Sequence, residues 1–553
     1  MGSAEIRPPP QGPLLWVLLP FSSGLLLSFS FSPPLLPVLL SFLALTGLLL
    51  FLLRSARHSI LLPGLVGGII AAFGWLWCEW RFPPPDADVQ AQWKRPPREA
   101  CFELKISTLY RYDGQRPSTG IARILEAEPH LDHLRGERLY FELWPDHGDR
   151  PLVPSTRMNA IGVLIPIPPD SSAIPKRDFD AYLNQRGIHL RFDTGATTRI
   201  TDPGHPFRIW CARQNARFIR ILDHTPGFFD RAASIWKAMM LGETGFLSQE
   251  IKSSFRHTGT MHLFAISGLH IGIIAAILAG FLRRIGIPLR LTPLAGIPVL
   301  FLFVQITGNA PSAVRALVMV AFFWSALCFS RKPVPFAAWS ASALFVLFLD
   351  PRQLVNPAFQ LSYSVVAMIL LYGLPLAGFL KHHIIPFRQV PRDLLGPVQR
   401  RLQGLVKGLW DSFAISLSAF LISQPITIFY FGIFSPVSVP LNLFLVLLAF
   451  PVIFSGILCL SLGQILPAAW LLPLQLLACG VLEIMLWLIR AGESLPGSWV
   501  AATGANEVLT GGTVLLLLTL AWAGCRSRES QKQNRWLAAP PLAFLFLLPL
   551  FLI

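Results

Sequence analysis

Between residues 260 and 553 the chain repeats one costly pattern, an apolar run close to the length of a lipid bilayer. The runs fall near 260–282, 293–308, 311–329, 335–349, 357–380, 410–434, 437–461, 467–489, 508–524 and 537–553. About 20 apolar residues in a row read as a membrane span, because a helix satisfies its own backbone polar groups where no water can. Three further runs lie near 13–30, 35–53 and 60–80. The first has no basic cluster ahead of it and leads straight into the second, so it reads as a retained helix and not a secretory leader. The expected fold class is a polytopic α-helical membrane protein of about 13 spans. Composition agrees, with 53% hydrophobic and only 14% charged residues, where a soluble domain carries about 25% charged.

Charge orients the spans. Arg54, Arg57 and His58 separate the second run from the third, and cytoplasmic loops collect Lys and Arg. Counting on from there, Arg283-Arg284, Arg331-Lys332, the 381–408 loop and the 525–536 loop all fall on the cytoplasmic side. The 381–408 loop sets Lys381, Arg388, Arg392, Arg400, Arg401 and Lys407 against Asp393 alone. This alternation predicts a cytoplasmic N-terminus and, with an odd span count, an external C-terminus. Much of the net charge of +16 has the same origin.

One long segment is different in kind. From residue 81 to about 200 the chain is polar and Pro-rich, with alternating stretches at 101–106, 121–127, 138–144, 159–167 and 188–192. Five such strands in this length predict a small external β-barrel, with the OB fold as one candidate. Residues 201–256 then mix aromatics with charges, which suits linker and interfacial amphipathic helices or a helix packed on the bundle. The predicted divisions are 1–80, 81–200, 201–256 and 257–553.

The polar residues inside apolar runs carry the functional reading, since such groups face a protein interior or a wet path. The stretch 259–272 holds His262, Ser267 and His270. On a helix begun at residue 260, Ser267 and His270 share a face and His262 lies about 80° away. Three other clusters interrupt spans: Asn309 through Arg315, Asn356 with Gln360 and Ser362, and Ser423-Gln424-Pro425. The candidate path residues are therefore His262, Ser267, His270, Asn309, Arg315, Asn356, Gln360 and Ser362, with helix packing as the competing explanation. In the external domain, Arg111, Tyr112, Arg116, Arg123, Arg138 and Tyr140 combine charge with stacking surface for a single strand.

Other chemistries leave no signature. There is no GxxxxGK[ST] for nucleotide phosphates and no HExxH. The seven cysteines contain no CxxC pair. The run Glu128–His133 has Glu where a metallo-β-lactamase-type ligand run begins with His. No cofactor or metal is predicted. The sequence leaves open whether Cys101 and Cys211 pair.

With these residues in view, the chain resembles the ComEC family of competence proteins. The resemblance rests on Leu241-Gly242-Glu243, Phe255, Gly259 and His262 through His270. It continues through Ala310-Pro311-Ser312-Ala313-Val314-Arg315-Ala316, Asp350-Pro351 and Phe359-Gln360-Leu361-Ser362. Asp178 to Ile188 resembles the segment closing that family's OB-like domain. The resemblance implies a bacterial inner-membrane channel that passes one DNA strand into the cytoplasm during natural transformation. The missing nucleotide site implies an external energy source, either a cytoplasmic DNA motor or the membrane potential; an extracytoplasmic DNA receptor and a homo-oligomer are the other candidate partners. Many family members add a metallo-β-lactamase-like domain. No HxHxDH run occurs here, so a form without that domain is expected, with any nuclease step on a separate protein. Two other readings stand beside the channel: an intramembrane hydrolase built on Ser267 and His270, and a transporter of another anionic polymer.

Overall fold

The structure is a computed structural model. It describes residues 14–31, 38–39, 41–46, 62–82, 95–113, 116–144, 152–168, 179–223, 227–264, 266–387, 390, 394–502, 504–526 and 535–552. The basic loop 54–58, most of the second predicted span and most of the 525–536 loop lie outside the described residues.

Five strands form a closed barrel in the order β1-β2-β3-β5-β4. They are β1 (Arg98–Asp113), β2 (Arg116–Ala127), β3 (Arg138–Trp144), β4 (Arg157–Pro166) and β5 (Leu190–Asp202). All ladders are antiparallel except β3 with β5, where Tyr140 pairs with Arg191 in parallel register. Alternation drives the closure, since successive side chains on a strand point to opposite faces. Phe102, Leu104, Ile106, Leu139, Phe141, Met158, Leu164 and Phe192 fill the interior. Phe102 meets Phe192 edge-on at 5.5 Å. All five expected strands are present; β3 spans the expected 138–144, β4 differs by one or two residues at each end, and β1, β2 and β5 run longer than expected.

The remaining elements are helical. Helices α1 (Leu15–Phe31) and α2 (Leu62–Arg81) precede the barrel. Within it, α3 (Phe179–Gln185) joins β4 to β5. After it come α4 (Pro206–Leu222), α5 (Asp230–Leu241) and α6 (Gln249–His257). The long block holds α7 (Gly268–Arg284), α8 (Thr292–Ile306), α9 (Pro311–Cys328), α10 (Pro335–Leu349), α11 (Pro357–Met368), α12 (Leu374–His383) and α13 (Pro397–Phe431). It ends with α14 (Ser438–Leu462), α15 (Ala468–Glu493), α16 (Glu507–Arg526) and α17 (Ala539–Leu552). A π-turn at Ile369–Gly373 fuses α11 and α12 into one run.

Each of the ten expected C-terminal runs is helical, but length separates them. Seven described helices are long and apolar enough to cross a membrane. Leu15–Phe29, Thr292–Ile306, Pro335–Leu349 and Trp536–Leu552 are apolar but shorter. The 15 residues of α8 rise about 22 Å, less than a hydrocarbon layer of roughly 30 Å. The count of thirteen is therefore not reached among the described residues.

The core explains α5. Nearly every residue from Ala232 to Leu241 is buried. Trp236 donates its Nε1–H to Val452 O at 3.4 Å, and Lys237 reaches Asp223 at 2.6 Å. Of the two readings of this segment, α5 follows the packed one.

Contacts also test the order of faces. Arg352, between α10 and α11, reaches Arg186 O beside the barrel, so that connection lies against the barrel. At α4 the alternation breaks. Asn215 donates to Ile306 O at 2.9 Å and Arg217 to Gln464 O at 3.2 Å, although alternation puts residues 306 and 464 on opposite faces. Two residues of helix rise about 3 Å, far less than the bilayer, so strict alternation does not hold throughout the helices between residues 306 and 464.

Candidate functional site

The polar stretch 259–272 contains a helix start. Gly259 has φ +68°, a left-handed conformation that ends α6 and that glycine adopts without penalty. A short 3-10 turn, Met261–Leu263, follows, and Ser267 is extended at φ −104°, ψ 172° as the N-cap of α7. The helix expected from residue 260 begins at Gly268. Ser267 and His270 still meet, now through a cap. Ser267 N–H donates to His270 Nδ1 at 3.3 Å, and Ser267 Oγ lies 2.9 Å from the same nitrogen. A nitrogen that accepts an N–H carries no proton, so Oγ donates to it as well and the neutral ring keeps its proton on Nε2. That Nε2 is buried without a partner. His262 is exposed on the 3-10 turn, its Nδ1 3.2 Å from Gly259 O. His262 therefore lies ahead of the helix, and the 80° relation expected from a helix begun at residue 260 does not hold.

Three helix starts gather here. Ser312, in the first turn of α9, donates to Ile266 O just before α7. One turn on, Arg315 donates through Nη2 to Ala358 O and to Ser362 Oγ, both at 2.9 Å, at the start of α11. Arg315 is 4% exposed, its Nε has no partner, and no carboxylate pairs with it among the described residues. A buried cation held only by a carbonyl and a hydroxyl is expensive. The start of α11 is otherwise satisfied. Asn356 caps it by accepting from Ala358 N–H at 3.0 Å, and Gln360 donates to Leu354 O at 3.1 Å. Asn309 is exposed at φ +59° and accepts from Gln305 at 3.1 Å. The structure therefore brings together Arg315, Ser362, Asn356 and Gln360, with Ser267 and His270 next to them through Ser312. His262 and Asn309 stand apart.

In the barrel, the side chains of Arg111, Tyr112 and Arg116 lie outside the described residues. Arg123 is exposed and donates to Gly136 O at 2.8 Å. Tyr140 is buried, edge-on to Phe179 at 4.9 Å, and offers no free stacking face, contrary to expectation. Arg138 leads to residues the sequence reading passed over. Its Nη2 donates to Arg186 O at 2.9 Å, and Arg352 Nη1 donates to the same oxygen at 2.6 Å. Arg186 donates to Tyr110 Oη at 3.0 Å and lies 4.6 Å from the Tyr182 ring. Burial and the neighbouring Arg138 pull Arg352 down to about 10. Burial, Arg352 and Arg138 together hold His189 down at about 4, so it is neutral at physiological pH. Gly187, at φ +66°, makes room, because a Cβ there would sit 1.9 Å from Arg352 Nη1.

Among the described residues no cluster of three His, Cys, Asp or Glu is placed to hold a metal ion. Glu128–His133 forms a turn in which His130 lies 3.6 Å from Glu128, and neither Cys101 nor Cys211 is in a disulfide. For hydrolysis, the base of a Ser–His pair needs its second nitrogen held by an orienting group. His270 has none at Nε2, and a backbone N–H already occupies Nδ1.

Fold and site together define a polytopic helical membrane protein with an added closed barrel and buried cationic polar ground where its helices begin. The family description "Competence protein" matches residues 239–525, a little over half of the chain, and the chain belongs to that family. It is 26% identical over 302 residues to ComE operon protein 3 of Bacillus subtilis, covering 53% of this chain and 35% of that protein. It is 28% identical over 287 residues to the uncharacterized protein YcaI of Escherichia coli, covering 48% and 34%. Over 204 residues it is 26% identical to Recombination protein 2 of Haemophilus influenzae, covering 35% and 24%. The chain thus spans about a third or less of the length of these relatives. No solved structure matches.

Proposed function

We propose that this competence-family protein is an inner-membrane channel that passes single-stranded DNA into the cytoplasm. In this reading the barrel is OB-like and extracytoplasmic, residues 257–553 form the channel, and the bundle comprises about 13 crossings, the shorter helices included. The divisions 1–80, 81–200 and 201–256 serve as N-terminal helices, barrel and linker. Arg315 carries the proposal. A buried guanidinium with no carboxylate partner among the described residues of a membrane domain marks a place where an anion passes or binds, and each nucleotide brings one negative charge. The names of two relatives, a ComE operon protein and a recombination protein, point the same way. A strand partner, an external receptor and a cytoplasmic motor complete the scheme.

The test is uptake of labelled DNA in a host deleted for this chain. The expected result is binding at the cell surface without entry of label into the cytoplasm. Normal entry contradicts the proposal. Import of another polyanion with DNA import intact favours the transporter of a different polymer.

A further inference from the structure

The junction between barrel and bundle holds more positive charge than its own contacts use. Arg138 from β3 and Arg352 before α11 both donate to one backbone oxygen, the carbonyl of Arg186 after α3, whose own guanidinium donates to Tyr110 Oη. The two guanidinium groups at that oxygen repel one another, and one carbonyl compensates little of their charge. Asp350 and Glu137 are the carboxylates whose charge bears on Arg352. Asp350 is engaged in its own turn, accepting from Arg352 N–H at 3.3 Å and from Gln353 Nε2 at 2.8 Å. Among the described residues none of the three arginines forms an ion pair. Aromatic surface stands beside them. Arg352 lies over the Phe82 ring at 4.0 Å, Arg186 over Tyr182, and Tyr110, which accepts from Arg186, is 43% exposed. A shallow cleft lies there, lined by Tyr182, Arg186, Arg352, Val355, Asn356 and Pro357. In the first turn of α11 beyond it, Ala358 O accepts from Arg315.

Cationic forks that match phosphate oxygens, set against exposed aromatic rings, are the recognition chemistry of a single-stranded polynucleotide. We infer that this cleft is a strand-transfer site, where Arg186 and Arg352 take consecutive phosphodiesters and the exposed Tyr110 takes the intervening base as the strand leaves the barrel. The inference rests on the DNA-channel reading and locates its hand-over point. Arg138 acts as a positioning residue, fixing the Arg186 carbonyl that orients Arg352.

The experiment uses the full chain in lipid nanodiscs and a fluorescent 15-mer of thymidylate, titrated at several salt concentrations. Variants are Arg186→Gln with Arg352→Gln, the matched double Lys variant, and Tyr110→Leu. Each phosphate contact on a single strand contributes about 0.7 to the slope of log affinity against log salt. The Gln pair is expected to lower that slope by roughly 1.4, with the Lys pair restoring it and Tyr110→Leu weakening binding at unchanged slope. A Gln pair that binds as the wild type does overturns the transfer site while leaving the DNA reading intact. Equal loss in the Gln and Lys pairs, with a fall in melting temperature, also overturns it and makes the arginines a structural joint. A wild-type protein that binds no oligonucleotide overturns both.

Discussion

Two polar knots lie near each other in this molecule, and they differ in what they leave unspent. Around Ser267 and His270 the hydrogen bonds are local and serve the start of α7, with only the imidazole Nε2–H left over. Around Arg186, Arg352 and Arg315 the contacts join distant parts of the chain, and among the described residues none of the three arginines forms an ion pair. Polarity within an apolar run is thus weak grounds for function until its partners are counted. A capped helix start explains the first knot, while net charge held against desolvation calls for something beyond packing.

The difference can be broken or sharpened by substitution. Gly187→Ala should have the largest effect. A side chain at φ +66° costs about 1–2 kcal/mol, and its Cβ would overlap the Arg352 guanidinium. Oligonucleotide binding to the full chain should fall roughly tenfold or more, as expected for losing a charged hydrogen-bonding group worth about 1.5–3 kcal/mol. Unchanged binding would show that the Arg352 position is immaterial. Arg315→Gln comes next. DNA import should drop severalfold at least, whereas thermal stability should hold or rise, because the change removes an unpaired buried charge. A stability loss matching the import loss would reduce Arg315 to a structural bolt.

Ser267→Ala should cost about 0.5–2 kcal/mol of stability as a lost cap and leave import within about twofold, since that loss falls on folding and not on transport. Abolished function in a folded Ser267→Ala protein would revive the hydrolase reading and erase the contrast between the knots. The smallest effect concerns acidity. His189 is held at about 4, below its ordinary 6.5, so the unfolded chain takes up a proton before the folded one does. Its contribution to stability is complete above 6.5 and is lost as pH falls through about 4. His189→Gln should flatten the melting temperature over that window by a degree or two, on the order of the shift that 1 kcal/mol or less gives a large protein. An unaltered pH profile would mean that the arginines beside it do not impose their field.

Sequence periodicity revealed the architecture because its signals are local. Alternation marks each strand, and an unbroken apolar run marks each bundle helix, wherever either packs. Helix ends were harder. Extrapolating 100° per residue from 260 ignored Gly259, and a Ser267-x-x-His270 spacing ahead of an apolar run is itself a capping pattern. The arginine knot was out of reach. Arg352 meets the Arg186 carbonyl across 166 positions of sequence, and nothing local distinguishes these arginines from the others of a basic chain. Tyr140 failed for the opposite reason, since residue type announced a stacking platform where the barrel had already covered the ring with Phe179.

The most direct measurement is electrical. The purified chain is placed in a planar bilayer, single-stranded thymidylate is added on the barrel side, and a voltage is applied that draws anions across. The account predicts a conductance with voltage-dependent blockades whose frequency scales with strand concentration, and fewer blockades in Arg315→Gln. An ion-tight protein, or a conductance that the strand never interrupts, would contradict it.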